Sequence, residues 1–448
     1  MAVPVYQGAF GAHEAERLLW RAGFGPRPGE ARRLARSGMV AAVRSLTRPA
    51  GSPTLTGPAP KDGDGNQIAP FDAWGHDVLW WLDRMVRTDQ PHRERMALIW
   101  HDWFATGDVT SQRLSIDQVK TFRANGLAPF RDLLLAVTAD PAMLIWLSGV
   151  ENSRWSPNEN YGRELMELFT LGASDASGYP YSEDDVREQA RALTGWRVDW
   201  RDDVGYVNFR FDPGYHDRRT KAIFGRSGNF DWRDSCDLCL EHDAHAGYFV
   251  DRLWSYFVPV PPSGPTRDGL IAKYRGSGYG IRPVVEAILK HPAFYTGPSL
   301  VKPPIVQIAG MLRARGRAID TDSWSWISDL AGMRPFRPPN VAGWDEERWL
   351  DTSTFRGRWQ IAVEIVNDEQ IDPDRDYDPD ETPAQAIAAA LDYWGKPTIS
   401  IDTRAALTTF CRRVENSVSA SWQRDYFRAL RQNALRMLIA TSPDMSAC

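Results

Sequence analysis

Cysteine is scarce, four residues in 448, too few for disulfides to hold the chain together. Long apolar runs are missing as well. The longest, residues 133–150, is broken by Asp140-Pro141 and is too short and polar to span a bilayer. The N-terminal MAVPVYQGAF has neither a basic n-region nor a sustained apolar h-region, so no signal peptide is expected in the sequence as written. There is no cationic excess: 53 Lys and Arg face 58 Asp and Glu, a net charge of -5 that argues against a nucleic-acid partner. No G-x-S-x-G elbow, P-loop or strand followed by G-x-G-x-x-G occurs, which sets aside serine-hydrolase and nucleotide-binding readings. No internal repeat stands out. These absences lead to the expectation of a soluble, cytoplasmic chain without a membrane span.

Tryptophan, by contrast, is abundant. Nineteen indoles supply flat apolar surface with one donor each, suited to filling helical cores and to stacking on sugar rings. A chain of 448 residues exceeds the size at which single cores stop growing, so two or three cooperative units are expected. Apolar residues recur with helical spacing almost throughout, and the fold class expected is mainly α, a multi-helix bundle-like protein with one small β-hairpin. N-terminal helices occupy 1–47 and a Pro/Gly-rich linker 48–70. A helical core with a cleft of polar motifs follows over 71–360, then an acidic linker over 361–383 and C-terminal helices over 384–448.

Within that frame, one helix is expected over 28–46 with Leu34, Val40, Val43 and Leu46 inward, and another over 72–87 with Trp74, Val78, Trp81, Leu82 and Met85 buried. In the helix over 91–104, His101 and Asp102 lie beside the buried stripe of Met96, Ile99, Trp100 and Trp103. Further helices are expected over 130–138 and 234–257. Only 196–200 and 206–211 show a period of two, leading into a polar loop around Tyr215-His216-Asp217 and Lys221. Cys236, Cys239, His242 and His245 follow one another at three-residue steps. On a helix such steps drift by about 60° each, which argues against convergence on one zinc ion. Asp372, Asp374, Asp376, Asp378 and Asp380 mimic a calcium loop, but Tyr377 and Pro383 stand where glycine and glutamate are needed, so the stretch is read as a charged linker.

The most legible stretch is SPNENYGRELMELFTLG, residues 156–172. Ser156 is placed to cap a helix, Pro157 to start it, Glu159 to complete a capping box and Gly172 to end it. Glu159, Asn160, Arg163, Glu164, Glu167 and Thr170 share one polar arc. Glu164 and Glu167 are three apart, which puts their Cβ atoms about 5–6 Å from each other. Two carboxylates that close raise one pKa unless a cation intervenes, and Arg163 is expected to bridge Glu159 and Glu167.

RLLWRAGFGPRPGE, WHDWFATG, LLLAVTADPAMLIWL, NENYGRELMELFTLG, YSEDDVREQARALTGW, FDPGYHDRRTKAIFG and PPNVAGW together resemble the bacterial family called domain of unknown function 1800, in order over about residues 13–360. The resemblance implies a predominantly helical protein. It also implies frequent export among relatives and a possible phosphatase- or sulfatase-like partner encoded nearby. It carries no established activity. Arg17 stands where the family often has histidine, and Asp102-Trp103 where it has Asn-His after His101, so any metal held by those family histidines would lose ligands here.

Three functions remain open. The first is hydrolysis of a polar, carbohydrate-like substrate, with Glu164, Glu167 and Asp185 as catalytic groups and Asn160, Arg163, Arg191, Trp196, Lys221, Asn340 and Trp344 contacting substrate. The second is a metal-dependent enzyme in which a divalent ion is bound by Glu164, Glu167, His101 and His216, with Asp102 or Asp217 steadying an imidazole. The third is a non-catalytic helical binding or scaffold protein in which Arg163, Glu167, Asp185 and Arg191 form buried ion pairs that fix helix register.

Overall fold

Capping chemistry sets several helix starts. Ser182 accepts from the Asp185 amide and Asp185 returns a bond to the Ser182 amide, opening the helix Glu183–Ala192. Thr382 and Gln385 do the same for Pro383–Tyr393. Phe130–Thr138 has the bounds that its apolar spacing suggests. The computed structural model describes residues 2–107, 109, 111–173, 178, 180–374, 377, 381–418 and 420–448, apart from the side chain of Trp422. Among the described residues the protein is mainly α: it is 55% helical, with 22 α-helices and two small two-stranded antiparallel sheets. None of the described helices is long and apolar enough to cross a membrane.

One hydrophobic cluster runs from Leu18 to Met445 and takes in Leu46 and Val78 on either side of the Pro/Gly-rich stretch. Ile361 and Ala386 likewise join it from either side of the acidic one. The helix Thr352–Asn367 extends past residue 361, because Ile361, Ala362, Ile365 and Val366 keep an apolar stripe to bury. Asp376, Asp378 and Asp380 lie outside the described residues. The C-terminal region forms the helices Pro383–Tyr393, Ile401–Ser417 and Arg424–Ala440, with a short helix at Pro443–Ser446.

Elsewhere the chain breaks where periodicity alone suggested continuity. The stretch 28–46 is two helices, Glu30–Ala35 and Met39–Thr47, because the chain turns at Ser37-Gly38. That turn changes the phase of the second helix, and Val40 ends 60% exposed while Val43 and Leu46 stay inside. Trp74 precedes the helix His76–Arg87 rather than belonging to it, and lies 65% exposed under the guanidinium of Arg334. The stretch 234–257 divides into Trp232–Glu241 and His245–Ser255, with His242 extended between them. Cys236, Cys239 and His245 are buried and bonded separately, to Thr138, Gln189 and the Thr170 carbonyl. The period-two segments pair as Trp196–Arg201 with Gly205–Phe211. A second hairpin, Lys221–Ile223 with Arg226–Gly228, forms in what reads as a polar loop.

Candidate functional site

The helix at the centre of the chain starts two residues later than its sequence suggests. Asn158 caps it by accepting from the Asn160 amide, whereas Ser156 is turned into a bridge with Ser153. The α-helix Glu159–Glu164 then widens into a π-helical segment, Leu165–Thr170. Thr170 Oγ1 donates to the Leu165 carbonyl at 2.5 Å, and the Leu171 amide to that of Met166 at 2.7 Å. A π turn is less favourable than an α turn and persists only where surrounding groups hold it. Here Tyr248 Oη donates to the Leu168 carbonyl at 2.6 Å, Arg252 Nη1 donates to the same oxygen, and Trp103 Nε1 donates to Phe169 O at 3.1 Å. Gly172 follows at φ +90°, with Tyr248 packed where a side chain would stand.

Glu164 and Glu167 occupy the half-buried side of this element. Among the described residues neither carboxylate has an ion-pair or hydrogen-bond partner. Burial and then the charge of Glu167 raise the pKa of Glu164 above the ordinary glutamate value, with Arg163 only partly offsetting them. Arg163 turns away from Glu167. It makes a two-pronged pair with Glu183, at 3.0 and 2.8 Å, and a longer contact of 3.4 Å to Glu159. Arg163 thus keeps its expected partner Glu159, but Glu183 of the neighbouring helix takes the place expected of Glu167.

Tyr248, Arg252 and Tyr256 carry the polar surface onward from the π turn. Arg252 lies over the Trp103 ring and also bonds Tyr248 Oη at 2.9 Å. Tyr256 donates to Asp102 Oδ2 at 2.5 Å, and Asp102 Oδ1 accepts from the Trp344 amide at 2.8 Å. Gly343, at φ +98°, is needed there, because a Cβ would sit 2.4 Å from that carboxylate oxygen. Burial raises the pKa of Asp102 despite these bonds. Arg95, Asp102, Tyr256 and Glu346 line a cavity of about 20 Å³, room for one water. Glu346 stands at its mouth, and the surrounding protein together with Asp102 pushes its carboxyl up to about 7. The sequence reading missed Tyr248, Arg252, Tyr256, Arg95 and Glu346. The spacing of the first three, i, i+4 and i+8, was the available signal for one polar helical stripe.

Other expected site residues lie elsewhere. Asp185 caps its helix and also accepts from the Phe224 amide at 2.7 Å; burial opposes ionisation, but these bonds keep its pKa below the usual value. Arg191 donates to Asp217 at 2.9 Å and to both oxygens of Glu188. Asp217, buried, also accepts from Arg219 at 2.7 and 3.0 Å. Its burial alone would raise the pKa, yet the bonds from Arg219 and Arg191 hold it well below the carboxylate range. Lys221 is buried and donates to the carbonyls of Asp217 and Arg219. This satisfied network fastens the second hairpin to the helix Glu183–Ala192.

His101 is not beside its helix's buried stripe but inside it, since the helix Pro91–Trp103 is buried almost all round. Its Nε2 accepts from the Phe336 amide at 2.9 Å within a cage of Trp81, Phe122, Phe336 and Trp344. His216 Nδ1 meets Thr194 and its ring packs on Phe211. No three His, Cys, Asp or Glu side chains come together as a metal-binding group among the described residues. The expected set of Glu164, Glu167, His101, His216 and Asp217 is therefore not assembled. Trp196 packs against Phe211 and Trp232, and Trp344 against His101, so neither offers an open indole face. Trp155 and Trp200 are more exposed, at 64% and 57%, but the Arg154 guanidinium lies over the Trp155 ring and Tyr206 packs against Trp200. Asn160 is exposed, and Asn340 turns its side chain back to the Ala342 amide.

No curated protein and no solved structure matches the chain. A family model does, over residues 17–447, nearly the whole length. Spanning both the π-helical element and the Asp102 cluster, that match shows that the chain belongs to the family described as protein of unknown function, DUF1800.

Proposed function

We propose that the protein is a hydrolase acting on a polar, carbohydrate-like substrate, with Glu164 as its general acid. The carrying observation is that Glu164 is half-buried beside Glu167, with no ion pair to a cation for either among the described residues. A carboxyl so placed keeps its proton nearer to neutral pH, which a general acid requires. Glu164 would give that proton to the leaving-group oxygen as the substrate bond breaks; water adds to the other fragment, and the proton it loses restores the Glu164 acid. Glu167 lies on the same helix face, so it does not flank the bond from the opposite side, and it acts by tuning Glu164. The π turn supports this reading, since a widened turn held by Tyr248, Arg252 and Trp103 fixes the direction of the glutamate side chains. Asp185 and Arg191, fully engaged in caps and ion pairs, take structural parts in this scheme.

A panel of glycosides and esters, run on the native protein and on Glu164→Gln, tests the proposal. A positioned acid contributes about 10²–10⁴ in rate, so the variant is expected to lose at least about 100-fold on any substrate that is turned over. Turnover unchanged in the variant would remove Glu164 from the mechanism. The second reading, a non-catalytic scaffold, is favoured by the satisfied network around Asp217, and it expects no turnover of any panel member by the native protein.

A further inference from the structure

A cavity of about 420 Å³ lies away from Glu164, where Met39–Thr47, Pro91–Trp103, Gln112–Asn125 and Ile281–Ile288 meet. Arg48, Arg93, Arg123 and Arg282 line it, and no Asp or Glu does. This is an unusual concentration of positive charge in a chain of net charge -5. Each guanidinium comes from a different element, so the four approach from different directions.

Two of the four are already oriented from behind. Arg48 uses Nε and Nη2 on Glu286, at 2.6 and 3.2 Å, and Arg123 uses Nε and Nη2 on Glu94, at 2.5 and 2.9 Å. In both pairs the carboxylate holds one edge of the fork and leaves Nη1 uncommitted. The other two have no carboxylate among the described residues. Arg93 makes one long contact, 3.4 Å, to Gln90 Oε1, and Arg282 Nε is buried without any hydrogen-bond partner. A buried donor left unpaired is costly, and so is a cluster of like charges. A ligand carrying several anionic oxygens would relieve both. Two open guanidinium forks and two free edges, carried by four different elements, suit an oxyanion with several oxygens better than a planar carboxylate, which one or two forks satisfy. Met96, Leu127 and Ala128 add an apolar wall, and the volume is that of an ordinary small-molecule site.

We infer that this cavity is a binding site for a phosphate-bearing small molecule, held by Arg93 and Arg282 with the free edges of Arg48 and Arg123. Isothermal titration of the full chain with inorganic pyrophosphate at low salt tests it, with citrate as the planar-carboxylate comparison. Pyrophosphate is expected to bind at micromolar concentration, at least about 10-fold more tightly than citrate, and to weaken steeply with salt. Arg93→Ala with Arg282→Ala should reduce the affinity at least 10-fold. Arg93→Ala alone, which removes a half-buried side chain without an ion pair, serves if the double variant unfolds and should cost at least about 3-fold. Glu164→Gln should leave pyrophosphate binding unchanged, which separates this site from the proposed hydrolytic one. No heat with millimolar pyrophosphate, equal binding of citrate, or full affinity in a folded Arg93 variant would overturn the inference.

Discussion

At the scale of single residues, burial and the available partners decide protonation. Asp140 shows this away from the candidate site. Its Oδ1 accepts from the amides of Ala142 and Met143 and from Gln118 Nε2, yet burial pushes its carboxyl up to about 7. The folded state therefore holds a proton that the unfolded chain gives up near pH 4, and this site's contribution to stability falls as pH rises from about 4 to 7. Asn keeps the accepting oxygen without the charge. Asp140→Asn should accordingly equal or exceed the native protein at pH 8, by about 1–2 kcal/mol in urea unfolding. A variant that is less stable at pH 8 would mean that its three donors stabilise the Asp140 carboxylate by more than burial costs it. Glu164 follows the same logic with one addition: part of its shift comes from another carboxylate, so a neighbouring substitution can reverse it.

Among the elements, the clearest contrast is within residues 156–172. The polar placing of Glu159, Asn160, Arg163, Glu164 and Glu167 and the stop at Gly172 were readable from sequence, because helical spacing and a glycine that reverses the chain are local signals, whereas Thr170, expected on the same arc, is buried and bonds the Leu165 carbonyl. The late start at Asn158 was not, since Ser156 and Asn158 are both good caps and the bridge to Ser153 chose between them. The π turn could not be read at all, because what holds it is Tyr248, Arg252 and Trp103 from distant parts of the chain. His101 was misplaced for a related reason: a single helix gives no hint that its second face is also covered, here by Phe336 and Trp344. Gly172→Ala tests how firmly the π turn is held. With φ at +90° and Tyr248 Cδ2 2.8 Å from the added carbon, it should cost about 2 kcal/mol or more and displace Tyr248. A loss below about 0.5 kcal/mol would show that this contact does not constrain the turn.

Over the whole molecule, the large core stretching from Leu18 to Met445 ties the helical segments together and encloses several histidines. Burial lowers the pKa of His92 and of His245 to about 4 and that of His101 to about 3. The unfolded chain takes up these protons below about pH 6.5 and the folded protein does not, so stability should fall as pH drops from there toward 4. Each histidine contributes on the order of 2 kcal/mol to the loss by pH 5. His101→Phe, which gives up the Phe336 hydrogen bond at every pH, should flatten the acid limb of a urea-midpoint profile by one histidine's share. An unchanged slope would mean that His101 is reached by water. The Asp217 network lay beyond sequence reasoning because the hairpin that begins at Lys221, with Arg219 just before it, is only three residues per strand. The central claim concerns the uncompensated glutamate pair, and it can be examined without knowing a substrate. Carbon-13 carboxyl titration of the full protein by NMR should show Glu164 titrating above the ordinary glutamate range and moving back toward it in Glu167→Gln. A Glu164 carboxyl with an ordinary pKa in both proteins would contradict the reading.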